Sequence, residues 1–260
     1  MKQYILLLLS VIFCLGCISA THSDHSDGIE WKFEETTGNK PDVRAAATLV
    51  TIGNKAHMFG GFLECFDVNT CDHHYYESVH TINLDTNKWK EEPLRTVRPG
   101  ARILHGAVKY DQNMIIVKGA KYNIDISNIA FYDDMWSYNP QTNVWTEIVS
   151  ANAGPGARFG PGVVISESNN KLYLFGGLSP SFEIQNDMWS FNFATRVWTL
   201  LIAGSTTSTS IPAPRFTPVF QIDNDRDLIF IFGGDSVDDG TVNAQANDTW
   251  VYQRIQGNIV

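Results

Sequence analysis

The chain has 260 residues, with 28 acidic against 19 basic side chains and a formal net charge of −9. An acidic chain without a Lys/Arg-rich block is a poor candidate for nucleic acid or an anionic membrane surface. The length suffices for a substantial core in one or two domains.

The first element is "MKQYILLLLSVIFCLGCISA": one Lys, an apolar run from Tyr4 to Ile18, then the small residues Ser19 and Ala20. This layout predicts a secretory signal peptide over residues 1–20, too short and wrongly flanked for a comfortable membrane span. A retained anchor and a lipid-modified Cys17 are the alternatives, although Cys14-Leu15-Gly16 is a poor lipobox. No later apolar run is long enough to cross a bilayer, so the mature chain is expected in the secretory lumen or outside the cell. Residues 21–28 read as a short linker, and residues 29–260 as one repeat domain.

Cleavage would leave two cysteines, Cys65 and Cys71. In an oxidising compartment the pair reads as a disulfide closing a small loop, with a local ordering effect. The other reading joins both thiols to His73, His74 or His80 around zinc, although the spacing matches no strong zinc pattern.

Four arginines, Arg44, Arg102, Arg158 and Arg215, stand 58, 56 and 57 residues apart, each with a proline three positions earlier. About fifteen residues after each comes a β-rich run ending in small residues: "AHMFGG", "MIIVKGA", "LYLFGG" and "IFIFGG". An acidic-x-Trp element follows at Asp134-Met135-Trp136, Asp187-Met188-Trp189 and Asp248-Thr249-Trp250. The first repeat has Ser78-Val79-His80 there instead. A second Trp follows at Trp89, Trp145 and Trp198. Such recurrence at one period defines repeats of about 44–91, 102–148, 158–201 and 215–252.

Each repeat reads as four short strands. β-branched and aromatic alternation is broken by turn residues such as "DTNK" and "NPQTN", and no helical periodicity follows residue 20. The glycine pairs allow backbones to approach closely, and the tryptophans can wedge between sheets. Four-stranded antiparallel units of this kind bury both faces by packing radially. Paired glycines, then an aromatic, six residues and a Trp, are similar to the kelch repeat, from Trp31 to Tyr252. Two repeats depart from the pattern, with Lys118-Gly119-Ala120 in the second and Ile82 before Trp89 in the first.

The resemblance implies an all-β, four-bladed kelch-type propeller. The last repeat lacks a second Trp, while Trp31 precedes Arg44 by the same thirteen residues that separate Trp89 from Arg102. The segment Ile29–Phe33 is therefore expected to pair with the strand around Trp250 and close the ring. Kelch rings commonly have more blades, so a shortened product and an open protomer pairing with another copy stay open beside the closed ring.

The long connections, including "GFLECFDVNTCDHHYYES" and "AKYNIDISNIAFYD", fall on one rim, and loops on a rigid scaffold carry binding. Arg44, Arg102, Arg158 and Arg215 enter from that rim and can receive carboxylates or an acidic peptide. The structural alternative has each Arg, with Asp134, Asp187 and Asp248, satisfying partners inside the fold. Tyr75 and Tyr76 suit an interface, or a loop folded back on its own blade. Asn247-Asp248-Thr249 is a glycosylation sequon that coincides with the repeated element, so structural and modification roles both stand.

Function is expected to be protein or peptide binding through the long-loop rim, with no cofactor or metal. A secreted sugar-acting enzyme is the alternative the resemblance allows. A copper oxidase of this architecture crosslinks a Tyr to Cys, which competes with the disulfide reading. The Glu-x3-Asp-x3-His of iron-binding kelch proteins stands here as Glu183-x3-Asp187-x3-Phe191, without the third ligand.

Overall fold

The computed structural model describes residues 32–63, 74–122, 129–238 and 241–253. The leader, the linker, Ile29–Trp31 and both Cys65 and Cys71 lie outside them. The described residues are all-β. The first blade is built from β2 (Ala45–Ile52), β3 (Lys55–Leu63), β5 (Val79–Asn83) and β6 (Lys88–Glu91), with β1 (Thr37–Gly38) on its outer edge and β4 (His74–Tyr75) extending β3. The second contains β7 (Gly106–Tyr110), β8 (Asn113–Val117), β11 (Met135–Asn139) and β12 (Val144–Glu147). A small ladder, β9 (Ala120–Tyr122) with β10 (Ile129–Phe131), stands above it. The third contains β13 (Gly162–Ser166), β14 (Lys171–Leu178), β15 (Ile184–Asn192) and β16 (Val197–Ile202). The fourth holds β18 (Val219–Asp223), β19 (Leu228–Phe232) and β22 (Thr249–Gln253). Beside it, β17 (Arg215–Phe216), β20 (Asp235–Asp238) and β21 (Thr241–Gln245) form a separate ladder.

Strand alternation sends one set of side chains to each neighbouring blade. Val50, Ile52 and Phe59 of the first blade meet Met114, Ile116, Tyr138 and Trp145 of the second. Ile115, Val117 and Met135 meet Leu172, Leu174, Phe191 and Trp198. Tyr173, Phe175 and Met188 then meet Phe220, Ile229 and Ile231. The second Trp of a repeat thus fills the seam with the preceding blade, as its bulk requires. Turns between third and fourth strands recur chemically: the Oδ1 atoms of Asn83, Asn139 and Asn192 each accept two backbone N–H bonds. Asn87, Asn143 and Arg196 take the left-handed position that follows.

The glycine pair has one specific use. A Cβ on Gly176 (φ +63°) would stand 2.4 Å from the Arg215 carbonyl oxygen, and one on Gly60 (φ +73°) 2.6 Å from that of Arg102. The pair therefore admits the next repeat's arginine segment against the inner strands. Lys118 takes this position in the second blade at φ +62°. Its ammonium is buried against the Asp133 carboxylate and lies 5.6 Å from the Trp198 ring. Asp133 stands where the third and fourth repeats have Asn186 and Asn247. The departure from the repeat is thus a compensated pair.

The inner strands pack in the order β2, β7, β13, β18. Among the described residues no strand pairing joins the fourth blade to the first, and the fourth blade's sheet has three strands. Of the expected closing segment only Lys32 and Phe33 are described. Both are outside any strand, and Phe33 is 87% exposed. Thr37 and Gly38 instead pair in parallel with Lys88 and Trp89, satisfying backbone groups on the free edge of β6.

At the first seam the His105 ring is buried, with Nε2 2.6 Å from Thr48 Oγ1. Burial, reinforced by the Arg102 charge, lowers its pKa from 6.5 to about 3. The unfolded chain therefore binds the proton first. Stability contributed by neutral His105 is complete above pH 6.5 and is lost as pH falls toward 3. Urea titrations at pH 7 and pH 5 should show a smaller acid loss in His105→Gln than in wild type.

Candidate functional site

Sheet register equates positions across the four blades. Phe59, Val117, Phe175 and Phe232 pair with Val79, Met135, Met188 and Thr249. The preceding residues, Ser78, Asp134, Asp187 and Asp248, are therefore equivalent, as are the following His80, Trp136, Trp189 and Trp250.

In three blades this position closes an internal clasp. Arg102 donates from Nη1 and Nη2 to Asp134 at 2.5 and 2.9 Å, and from Nη1 to the Lys118 carbonyl at 2.9 Å. Arg158 meets Asp187 at 2.6 and 3.2 Å, and Arg215 meets Asp248 at 2.6 and 3.0 Å. The same carboxylates accept the indole N–H of Trp136, Trp189 and Trp250. All three arginines are buried. Burial alone would raise the Asp134 pKa, but the Arg102 bonds and charge outweigh it and the net shift is downward. Arg215 hydrogen bonding holds Asp248 at about 2 despite opposing burial. Of the two roles set out for these arginines, the geometry gives Arg102, Arg158 and Arg215 the internal one.

Arg44 differs. Its Nε donates to the Asp42 carbonyl at 3.2 Å and its Nη1 to the Gly60 carbonyl at 3.3 Å, the same backbone bonds that Arg102 and Arg215 make. The guanidinium lies 3.6 Å from the Tyr76 ring centre, as Arg102 lies 4.1 Å from that of Tyr132. Serine at position 78 supplies no carboxylate, and Arg44 has no ion-pair partner among the described residues. It is half-buried, facing a cavity of about 470 Å³ lined by Tyr75, Tyr76, Ser78, His80, Glu91 and Lys121 among others.

The cavity holds two of the predicted interface residues beside Arg44. Tyr75 stacks on Phe62 at 5.5 Å with the Lys121 ammonium 5.6 Å from its ring, and Tyr76 is buried under His74 and Arg44. Burial lowers the His80 pKa and the Arg44 charge lowers it further, against Glu91 and Asp42. Burial likewise lowers the pKa of Arg44 itself. His80, Ser78, Glu91 and Lys121 were not among the predicted binding residues. The legible signal was the Ser-Val-His that replaces Asp-x-Trp. Asn247 is exposed, unlike its counterpart Asn186, which donates to the Ser205 and Pro212 carbonyls.

Phe131, Phe159, Phe182 and Phe216 form one aromatic cluster over the second to fourth blades. A larger cleft of about 820 Å³ opens on the opposite rim, lined by short-turn residues including Asn54, Lys55, Gln112 and Asn143. Asn54 is bonded there to Asp85 and Asn143 to the Tyr138 hydroxyl, so part of its polar lining serves the turns.

Residues 16–165 match the family described as "KLHDC2/KLHL20/DRC7 Kelch-repeats domain", and residues 122–257 the "Attractin/LZTR1 beta-propeller". The chain belongs to the kelch-repeat β-propellers. Kelch domain-containing protein 3 of Rattus norvegicus is 28% identical over 163 residues, 62% of this chain and 41% of that protein. A leucine-zipper-like transcriptional regulator 1 homolog of Drosophila melanogaster is 27% identical over 240 residues, 87% of this chain and 23% of that one. The flagellar outer arm dynein alpha chain of Chlamydomonas reinhardtii is 25% identical over 79% of this kelch chain and 4% of its own length. The kelch chain thus spans less than half of each of these curated relatives. The solved structure of YjhT shares the fold with a TM-score of 0.58 at 19% identity, over 74% of this chain and 60% of that one.

Proposed function

We propose that this kelch propeller is an exported scaffold that binds a protein or peptide carrying acidic groups through its long-loop rim, at the first blade. One observation carries the reading. The first-blade cavity is lined by the half-buried Arg44 guanidinium, Tyr75 and Lys121 over the buried Tyr76 ring, whereas the equivalent arginines of the other blades are closed inside clasps. Aromatic rings and Arg supply much of the binding energy at protein interfaces, which suits them to the centre of a small recognition patch. Export rests on the leader-like residues 1–20. Its check is the N-terminal sequence of protein recovered from culture medium, expected to start near Thr21; retention of Met1 on a cell-bound form would remove that part.

Peptides selected from a displayed library on the full chain should bind Tyr75→Ala or Lys121→Ala about tenfold more weakly. Gln112→Ala, on the opposite rim, should leave them unaffected. The reverse pattern would move the site to the short-turn rim.

A further inference from the structure

We propose that the seam between the first and second blades holds a further ligand site, on the short-turn rim, for a phosphate or sulfate group carried on a small polar molecule. It stands apart from the long-loop rim and does not rest on the peptide reading. The cavity of about 820 Å³ lies between the first blade's sheet and the turns of the second. Lys55, Asn83 and Lys88 form one row across three adjacent strands, and His57, Thr81 and Lys90 form the next. Alternation turns both rows toward the second blade, where the His57 ring meets that of Tyr138 edge-on at 6.0 Å.

The other blades show what these positions carry when they only pack. His57, Thr81 and Lys90 correspond to Ile115, Ser137 and Thr146 in the second blade and to Tyr173, Ser190 and Thr199 in the third. Glu92 donates its backbone N–H to the Val79 carbonyl, as Ile148 does to that of Met135, but Ile148 joins an apolar cluster. Across the second seam Tyr110 stacks on Phe193 at 4.0 Å, and the corresponding space is about 500 Å³. Ile52 and Pro140 stand at those two positions in the first seam, which lacks the stacked pair. His57 and Glu92 are thus more than nine-tenths buried where the next blade has isoleucine, although burying polar groups costs stability.

The chemistry of the lining favours an anion. Its charged residues are Lys55, Lys88 and Lys90 against Glu92, on a chain whose net charge is −9. Lys90 is taken by Glu92 at 2.6 Å, while Lys55 and Lys88 have no ion-pair partner among the described residues. Asp85 opposes them from beyond Asn54, which donates to it at 2.6 Å. Burial lowers the His57 pKa, with Glu92 opposing and Lys55 assisting, so the ring is neutral at pH 7. The amides are biased toward donation. Asn83 Oδ1 already accepts the backbone N–H groups of Asp85 and Thr86, and Asn143 Oδ1 accepts the Tyr138 hydroxyl at 2.7 Å. Their Nδ2 donors are left over, beside the two free ammonium groups. No arginine fork lines the cavity among the described residues, so a planar carboxylate lacks its bidentate partner. A tetrahedral oxyanion takes several such donors at once, and the volume admits a polar carrier as well.

Isothermal titration calorimetry on the full chain tests this with inorganic phosphate, inorganic sulfate, glucose 6-phosphate, glucose 6-sulfate and plain glucose. At least one ester should bind more tightly than its free ion, and glucose should not bind. The ester that binds more tightly identifies the anion. The double variant Lys55→Gln with Lys88→Gln should weaken that binding about tenfold. Lys171→Gln, at the position of Lys55 in the third blade, and Tyr75→Ala, on the long-loop rim, should leave it unchanged. Glu92→Gln should tighten it, because Lys90 is then released. Equal binding of glucose and its esters, or ester binding untouched by the double variant, would overturn the site. So would failure of all four anions to bind, and binding of the free ions alone would remove the carrier. A loss in Tyr75→Ala as large as that in the double variant would place the anion on the long-loop rim instead.

Discussion

Asp187→Ala should be among the most damaging single substitutions in the molecule, costing about 3–5 kcal/mol. Asp187 and Arg158 are the most enclosed of the three pairs, with side chains 14% and 4% exposed. Removal of the acid leaves a guanidinium deep in the sheet with no counter-charge, and also frees the Trp189 indole N–H, now bonded at 2.7 Å. At this chain length the loss corresponds to a fall in melting temperature of about 10 °C or more. Denaturant titration provides two internal checks. Asp248→Ala should cost less, because its carboxylate is 42% exposed and solvent already screens much of the pair's attraction. The double replacement Arg158→Met with Asp187→Leu should also cost less than Asp187→Ala alone, since no charge is stranded. Equal losses for Asp187→Ala and Asp248→Ala would mean that the clasp contributes through packing rather than charge.

Trp198→Ala should cost a comparable amount, about 3–5 kcal/mol. The ring is buried between the second and third blades, 5.0 Å from Phe191, in one cluster with Val117, Leu172 and Leu174. It also covers the Lys118 ammonium. The cavity left by truncation would therefore lose dispersion contacts and let water reach the buried Lys118 ammonium. Trp89→Ala, on a half-buried ring in the first blade, should cost clearly less. A denaturation midpoint for Trp198→Ala within error of Trp89→Ala would contradict this account of the seams.

Much of the fold was legible because the repeat writes the same physics several times. The glycine pairs, the second tryptophans and the Asx turns each mark a strand end or a seam, and all stand where the period places them. Both roles of the arginines were visible, but their division was not. Whether a guanidinium faces a ligand or an internal acid depends on the register of Asp134, Asp187 and Asp248 against the second strands, which fixes distances that spacing alone leaves open. The first blade's missing clasp was written in the sequence as Ser78-Val79-His80, a departure whose consequence for Arg44 needed the structure to show. Lys118 looked like a weakened glycine pair. It is a left-handed lysine answered by Asp133, and only side-chain contact shows that the two changes belong together. The course of the N-terminal segment was the least accessible. A short stretch such as Thr37–Gly38 can join any free strand edge with compatible geometry, and β6 offers one a few residues from Arg44 in space.

Among the described residues each inner strand packs on its neighbours in chain order, and this sets how load is shared. Each seam bears only on its two neighbours, as in a stack of plates, so a weakened blade does not slacken those beyond it. Among the described residues the fourth plate has the fewest strands, three, with Val219, Phe232 and Val251 turned to solvent. Fraying should begin there and travel through the third blade before it reaches the second.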